Sequence, residues 1–234
     1  MEESVAATPM AGRSQPARSD ISAHPRLRIV TAPLLAGLLA KIRDRRTPAS
    51  EFTQLIGIVG QFLILDACRA ARMRAAQAEG FDGAPIAVEV LDERIAAVTV
   101  LRAGLAFAEP FRNLVPDGAL YQVGAHRDEA TLTASIYASN VPARPGWADR
   151  VLILDPMLAT GGSVLATLER VRATFHGPIG VVALVSAPLG VQTVLSADAN
   201  LEVITATLDE RLDQNGYIRP GLGDAGDRVF GTFG

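Results

Sequence analysis

The sequence predicts an α/β fold in which helices cover both faces of a mostly parallel sheet. From residue 86 onward, short apolar runs alternate with helical segments, as strands do when helical crossovers join them. The runs are continuously apolar rather than alternating with polar residues, which is typical of strands buried on both faces. The 234 residues are also enough to bury a large core.

The predicted elements follow one another through this part of the chain. Strands are predicted over residues 95–101, 119–124, 151–154, 179–185 and 201–207. Helices are predicted over residues 105–114, 163–175 and 190–197. A proline-rich loop, residues 140–149, leads into the third strand.

Two helical segments are predicted before the sheet, over residues 33–46 and 50–74. In the second segment, apolar residues recur at helical spacing on one face, and Ser50 or Thr47 is placed to cap its start. Residues 1–20 mix Ala, Ser, Pro, Gly and Arg without periodicity, so we expect a disordered extension there. Residues 21–234 then form one domain.

Composition excludes several classes of function. The net charge of −3 and the absence of a basic tract argue against a nucleic-acid partner. A single cysteine, Cys68, allows neither an intrachain disulfide nor a thiolate metal cluster. The only lysine, Lys41, lies in no motif suited to a Schiff base. No apolar stretch is long enough to span a bilayer, and Glu2 and Glu3 do not fit a signal peptide, so a cytoplasmic location is expected.

Residues 151–163 carry the strongest chemical signal. A short apolar strand ends at Asp155, and the following loop reaches Thr160-Gly161-Gly162-Ser163 at the start of a helix. Ligands of open parallel sheets bind at this end of the strands, and backbone N–H groups at a helix N-terminus favour phosphate. Asp155 is suited to bind sugar hydroxyls. The alternative is an ordinary strand-to-helix turn with Ser163 as N-cap. The sequence matches neither a Walker A loop nor a G-x-G-x-x-G motif.

The same segment, VLILDPMLATGGS, resembles the phosphoribosyl pyrophosphate motif of type I phosphoribosyltransferases. Most members have two successive acidic residues there, and Pro156 in the second place resembles the uracil phosphoribosyltransferase branch. Other segments resemble that family in the same order: LRAGL at 101–105, GAHRDEATL at 124–132 and the glycine-rich tail at 215–228. The resemblance extends from about His24 to the carboxyl terminus.

The resemblance implies the type I phosphoribosyltransferase fold, with amino-terminal helices and a β-hairpin lid at residues 124–132. It implies transfer of a phosphoribosyl group from phosphoribosyl pyrophosphate to uracil, which gives UMP and pyrophosphate in pyrimidine salvage. Mg²⁺ would be bound mainly through phosphoribosyl pyrophosphate, with no metal site formed by the chain alone. The implied partners are small-molecule substrates, further copies of the chain in a homodimer or higher homo-oligomer, and, in some members, GTP as an activator.

The resemblance also assigns residues to this chemistry. The departing pyrophosphate carries heavy negative charge, so catalysis should depend on positioning and charge stabilisation. The catalytic residues implied are Arg102, Arg127, Asp155 and Asp224. The residues implied to bind phosphoribosyl pyrophosphate are Arg102, Arg127, Asp155, Pro156, Met157, Leu158, Ala159, Thr160, Gly161, Gly162, Ser163 and Asp224. Those implied to bind uracil are Ile218, Gly223, Asp224 and Ala225.

Three features depart from the family pattern: His126, Arg219 and the composition of residues 133–140 in the lid. Arg219 stands where the family usually has an apolar residue. These departures leave two alternatives open, the same chemistry on another pyrimidine-like base or a nucleotide-binding regulator without turnover.

Overall fold

The computed structural model describes residues 15–127 and 134–232, without the side chains of His126 and Arg127. The helices are α1 (Arg18–Ser22), α2 (Pro33–Arg43), α3 (Ala49–Ala67), α4 (Ala108–Leu114), α5 (Gly162–Arg172), α6 (Pro188–Ala197) and α7 (Ala225–Phe230). A 3-10 helix, Ala103–Phe107, precedes α4. Within the described ranges, no helix is long and apolar enough to cross a membrane.

The strands form one large sheet and two small ribbons. They are β1 (Leu27–Ile29), β2 (Met73–Glu79), β3 (Pro85–Leu91), β4 (Ile95–Leu101), β5 (Ala119–Arg127), β6 (Ala134–Ser139), β7 (Arg150–Leu154), β8 (Met157–Leu158), β9 (Ile179–Ser186), β10 (Leu201–Leu208), β11 (Arg211–Leu212) and β12 (Ile218–Arg219). The large sheet has the order β1-β10-β9-β7-β4-β5-β6, and β8 pairs with β9. All of its pairings are parallel except β5 with β6. The predicted α/β fold is therefore confirmed.

The hydrophobic core lies on both faces of this sheet. One layer packs α3 and α4 against it through residues such as Ile56 and Phe111, and the other packs α5 and α6 through Val164 and Val191. Every residue of β9 is buried. This explains why the central strands are continuously apolar in sequence.

The two amino-terminal helices are shorter than predicted. The first ends at Arg43 rather than at residue 46, and the second ends at Ala67 rather than at residue 74. Neither Ser50 nor Thr47 caps α3, whose N-cap is Pro48. The Thr47 hydroxyl instead donates to the Lys41 carbonyl at 2.6 Å, at the end of α2.

The chain after α3 forms the β2–β3 hairpin, which the sequence did not predict. Most of its residues are exposed, so it lacks the apolar alternation that identifies a half-buried strand. The predicted helix over residues 105–114 also differs, because its first part is the 3-10 helix and only its second part is α4.

The predicted lid and extension lie partly outside the described residues. Strands β5 and β6 form an antiparallel hairpin at the position predicted for the lid, and its tip, residues 128–133, is outside the described ranges. Residues 1–14 of the expected extension are also outside them. The boundary predicted after residue 20 falls inside α1, so the folded chain includes residues that we expected to be disordered.

Candidate active site

A cleft of about 310 Å³ opens where β4 and β7 end. Its walls come from residues 100–103, from Asp155 with 157–164, from 216–218 and from 223–226. Parallel strands carry ligand sites at this edge of a sheet. The structure therefore brings the three predicted segments together: the arginine after β4, the phosphate loop after β7 and the glycine-rich tail.

The phosphate loop is packed tightly against α6. Gly161, the N-cap of α5, has φ +86°, a conformation that favours glycine. A Cβ on Gly190 of α6 would lie 2.4 Å from the Ala159 carbonyl oxygen. Two glycines thus allow the loop to take its path, and the first turn of α5 meets the cleft with N–H groups that have no partner within the helix. Ser163 is inside this turn, so the interpretation of Ser163 as N-cap is wrong.

Pro156 does not reach the cleft. It is buried, and its carbonyl accepts the N–H groups of Leu184 and Val185 at 3.0 Å each. Of the segment predicted to bind the donor, Asp155 and residues 157–163 line the cleft, whereas Pro156 joins the loop to β9.

Asp155 is a buried carboxyl group at the bottom of the cleft, 8 % exposed. The Met157 N–H donates to its Oδ1 at 3.3 Å. Burial raises the pKa of Asp155 to about 7, and the Met157 hydrogen bond offsets this only in part. Such a carboxyl group is poised to accept hydrogen bonds from a polar ligand that enters the cleft.

Arg102 follows β4 directly, beyond a cis peptide bond between Leu101 and Arg102. Its guanidinium Nη2 lies 2.9 Å from Asp227 Oδ1, and Nη1 lies 3.3 Å from the Thr232 hydroxyl. The Thr232 hydroxyl and the Arg102 guanidinium hold the pKa of Asp227 below its usual value. Asp227 is therefore ionised at neutral pH and keeps the Arg102 guanidinium at the rim of the cleft.

Gly104, two residues after Arg102, allows the loop after β4 to lie close to the end of β7. A Cβ on Gly104 would lie 2.5 Å from the Leu154 carbonyl oxygen, at the end of β7. Only glycine allows the chain after β4 to approach β7 so closely. Arg102 and Asp155 consequently share one cleft.

Asp224 begins α7 as its N-cap, and its Oδ1 accepts the Asp227 N–H at 2.9 Å. It also lines the cleft. Among the residues predicted to hold uracil, Ile218, Gly223, Asp224 and Ala225 all line it, and Gly223 has φ +84°. The predicted base-binding residues are thus placed together opposite the phosphate loop.

Buried charges beneath the tail were not predicted. The Arg228 guanidinium donates to the Leu222 carbonyl at 2.8 Å and to the Ile42 carbonyl at 2.6 Å, and it lies 3.8 Å from the centre of the Phe52 ring. Burial lowers the pKa of Arg228 from its ordinary value. This arginine fixes the tail to the amino-terminal helices.

Asp209 holds the glycine-rich tail at Gly221. Its carboxylate accepts the Gly221 N–H at 2.7 Å and pairs with Arg43, and Asp209 is 4 % exposed. A charged residue directly after a buried strand was the only signal in the sequence for this role.

Arg219 lies outside the cleft. Its Nε donates to Asp213 Oδ2 at 2.8 Å, and its side chain is about half exposed. Successive residues of β12 point to opposite sides, so Ile218 faces the cleft and Arg219 faces away from it. Arg219 thus does not line the cleft beside the predicted base-binding residues. The side chain of Arg127 is outside the described part of the structure, so its contact with phosphoribosyl pyrophosphate stays a prediction.

A family model described as uracil phosphoribosyltransferase matches residues 29–232. The chain is 38 % identical over 214 residues to the uracil phosphoribosyltransferase of Synechococcus elongatus, which covers 89 % of this chain and 99 % of the relative. It is 34 % identical over 204 residues to that of Lacticaseibacillus paracasei, with 87 % and 97 % covered. The chain belongs to the uracil phosphoribosyltransferase family. The family resemblance predicted from the sequence is confirmed.

Solved structures agree on the fold. A protein of Aquifex aeolicus has a TM-score of 0.81 at 31 % identity, with 87 % of this chain and 97 % of that one covered. An adenine phosphoribosyltransferase of Leishmania donovani, at 15 % identity and a TM-score of 0.51, shares the fold alone. The type I phosphoribosyltransferase architecture is thus shared well beyond close relatives of this family.

Proposed function

We propose that this chain is an enzyme that transfers a phosphoribosyl group from phosphoribosyl pyrophosphate to uracil. The bond between the anomeric carbon and the pyrophosphate oxygen breaks, a bond from that carbon to uracil N1 forms, and the N1 proton is released. The products are UMP and pyrophosphate. The observation that carries the proposal is the single cleft in which the phosphate loop, buried Asp155, Arg102 and the glycine-rich tail meet.

The donor is proposed to lie across the end of the sheet. Its 5-phosphate would accept hydrogen bonds from the N–H groups of the loop at residues 157–163, where the start of α5 favours negative charge. The ribose hydroxyls would donate to Asp155, which has room for hydrogen bonds beyond that of Met157. The pyrophosphate would then point toward Arg102, whose guanidinium is already held by Asp227.

The lining of the described cleft offers Mg²⁺ two carboxylates, Asp155 and Asp224. Among the described residues, no group of three or more His, Cys, Asp or Glu side chains is arranged to hold a metal ion. Asp155 and Asp224 nevertheless line the cleft separately, and Mg²⁺ is often bound through one or two carboxylates, water and substrate phosphates. We therefore propose that Mg²⁺ enters with phosphoribosyl pyrophosphate and neutralises charge on the departing pyrophosphate.

The remaining proposed roles concern the base and the lid. Uracil presents alternating acceptors and donors along one edge, which the backbone of residues 223–225 is suited to read. Ile218, 4 % exposed, would contact the apolar face of the ring. Asp224 would contact both substrates. Arg127, at the end of β5, would add positive charge to the pyrophosphate when the lid closes.

A panel of bases tests this function. Purified protein is incubated with phosphoribosyl pyrophosphate and Mg²⁺ and with uracil, cytosine, thymine or hypoxanthine, and nucleotide products are separated by chromatography. We expect UMP from uracil and at least about 100-fold less product from hypoxanthine, since hypoxanthine lacks the second carbonyl acceptor of uracil's edge and carries an additional ring. Absence of UMP at high protein concentration would refute the proposed function. Preference for another pyrimidine would keep the reaction but replace uracil as the proposed acceptor.

We also propose that the chain acts in the cytoplasm as a homo-oligomer. Large apolar side chains on α2, α3 and the β2–β3 hairpin are exposed, among them Leu34, Leu65 and Phe81. Exposed apolar surface of this kind favours contact with another protein surface. Sedimentation velocity tests the proposal, which a monomer at micromolar concentration would contradict. Activation by GTP stays a prediction, which addition of GTP to the uracil assay would test.

A further inference from the structure

The segment before the family-matched region is anchored to the domain. The family model begins at residue 29, whereas the described chain begins at residue 15. Ile21 of α1 is buried, and α1 packs against α6. The Arg26 guanidinium then donates to the carbonyls of Leu195 and Leu201, at 2.7 and 3.0 Å. These contacts hold the amino-terminal segment against α6 and the start of β10.

Gln15 uses its side-chain amide to bind the backbone of β11. Its Nε2 donates to the Leu212 carbonyl at 3.0 Å, and the Leu212 N–H donates to Gln15 Oε1 at 2.8 Å. Both backbone groups of one residue are thus satisfied by one side chain. This is the pair of bonds that a neighbouring strand would make in an antiparallel ladder.

The residue that Gln15 binds lies directly opposite Ile218. Leu212 and Ile218 are partners in the β11–β12 ribbon, which has only two residue pairs. Two-stranded ribbons are marginally stable on their own, so a partner for the outer edge matters. Leu212 is 2 % and Ile218 is 4 % exposed, and Ile218 lines the cleft.

We propose that Gln15 is a positioning residue for the base site. It holds the outer edge of β11, β11 holds β12, and β12 presents Ile218 to the ring of the bound base. The amino-terminal segment therefore contributes to recognition of the acceptor and not to recognition of the donor. This inference rests on the proposed function, because it assigns Ile218 to the uracil side of the cleft.

The experiment compares Gln15→Ala with the wild type and with Gln192→Ala. Gln192 is exposed on α6 and serves as a control for loss of a glutamine side chain. We expect Gln15→Ala to raise KM for uracil by about 5- to 10-fold, as loss of two net hydrogen bonds would. KM for phosphoribosyl pyrophosphate and kcat should stay within about twofold. Gln192→Ala should change none of these values.

A second variant repeats the perturbation, and hydrogen exchange separates positioning from general loss of stability. Gln15→Glu keeps the acceptor for the Leu212 N–H but places a carboxylate against the Leu212 carbonyl, so we expect KM for uracil to rise as in Gln15→Ala. Hydrogen exchange measured by mass spectrometry should accelerate in residues 211–219 of Gln15→Ala and stay unchanged in residues 157–164.

The outcomes distinguish the inference from the function on which it rests. A wild-type chain that forms no UMP would overturn the proposed function. A wild type that forms UMP, with an unchanged KM for uracil in Gln15→Ala, would overturn only the role of Gln15. Unchanged exchange in residues 211–219 would likewise contradict that role.

Discussion

Replacing Asp155 with asparagine should stabilise the folded chain while it removes activity. The Asp155 carboxyl group is buried and accepts one backbone N–H, from Met157. Asparagine has nearly the same shape and can accept that N–H through its own oxygen. The variant therefore removes a buried negative charge at neutral and higher pH without creating a cavity.

The magnitude follows from the pKa of Asp155. Burial raises this pKa from 3.8 to about 7, so the folded state binds a proton more tightly than the unfolded state. The stabilising effect of protonation is fully present below the unfolded pKa and is lost as pH rises through the folded pKa. At pH 8 the ionised carboxylate lowers the free energy of unfolding by up to about 4 kcal/mol, because one pKa unit corresponds to about 1.36 kcal/mol.

Urea unfolding, followed by the fluorescence of Trp147, measures this effect at pH 8 and pH 5. We expect Asp155→Asn to have a free energy of unfolding about 2–4 kcal/mol above that of the wild type at pH 8. The difference in free energy of unfolding between the variant and the wild type should narrow to about 1–2 kcal/mol at pH 5, where Asp155 of the folded wild type is protonated.

A partly exposed aspartate, Asp149, provides the control. Arg94 holds the pKa of Asp149 at about 2, so Asp149→Asn should lower stability at pH 8 and at pH 5 alike. If Asp155→Asn were less stable than the wild type at pH 8, or if its effect did not depend on pH, our account of Asp155 as a carboxylate destabilised by burial would be refuted.

Three further variants test other parts of the site. Gly190→Ala places a Cβ 2.4 Å from the Ala159 carbonyl oxygen, so we expect a loss of about 1–3 kcal/mol in stability and a higher KM for phosphoribosyl pyrophosphate, measured by urea unfolding and initial rates. Asp227→Asn weakens the hold on Arg102 and should raise KM for phosphoribosyl pyrophosphate by about 5-fold or more, with KM for uracil nearly unchanged; equal changes in both would contradict this. Arg219→Ala should leave KM for uracil within about twofold, because this side chain faces away from the cleft, and a large change would place it in the base pocket.

The central sheet and the phosphate loop were predictable because their signals are local. Buried parallel strands must be apolar along their whole length, and the strand predicted over residues 95–101 matches β4. The loop required adjacent glycines before a helix, and Gly161 does take the left-handed conformation that only such a residue adopts readily.

The parts that sequence reasoning missed depend on contacts between distant residues. The β2–β3 hairpin is largely exposed, so no apolar pattern marks it, and the predicted helix over residues 50–74 extended into its first two residues. Arg228 and Asp209 are charged residues whose roles depend on burial beneath the tail. Gln15 binds a backbone 197 positions away, and nothing local to residue 15 indicates that contact.

The assignment of Asp155 and its loop to the donor site is tested most directly by UMP formation in the wild type and in Asp155→Asn, at equal concentrations of folded protein. Initial rates are measured at saturating uracil with phosphoribosyl pyrophosphate and Mg²⁺. We expect UMP and pyrophosphate in equal amounts from the wild type and a rate lower by about 100-fold or more in the variant. A variant that turns over at the wild-type rate would show that Asp155 and its loop are not the donor site.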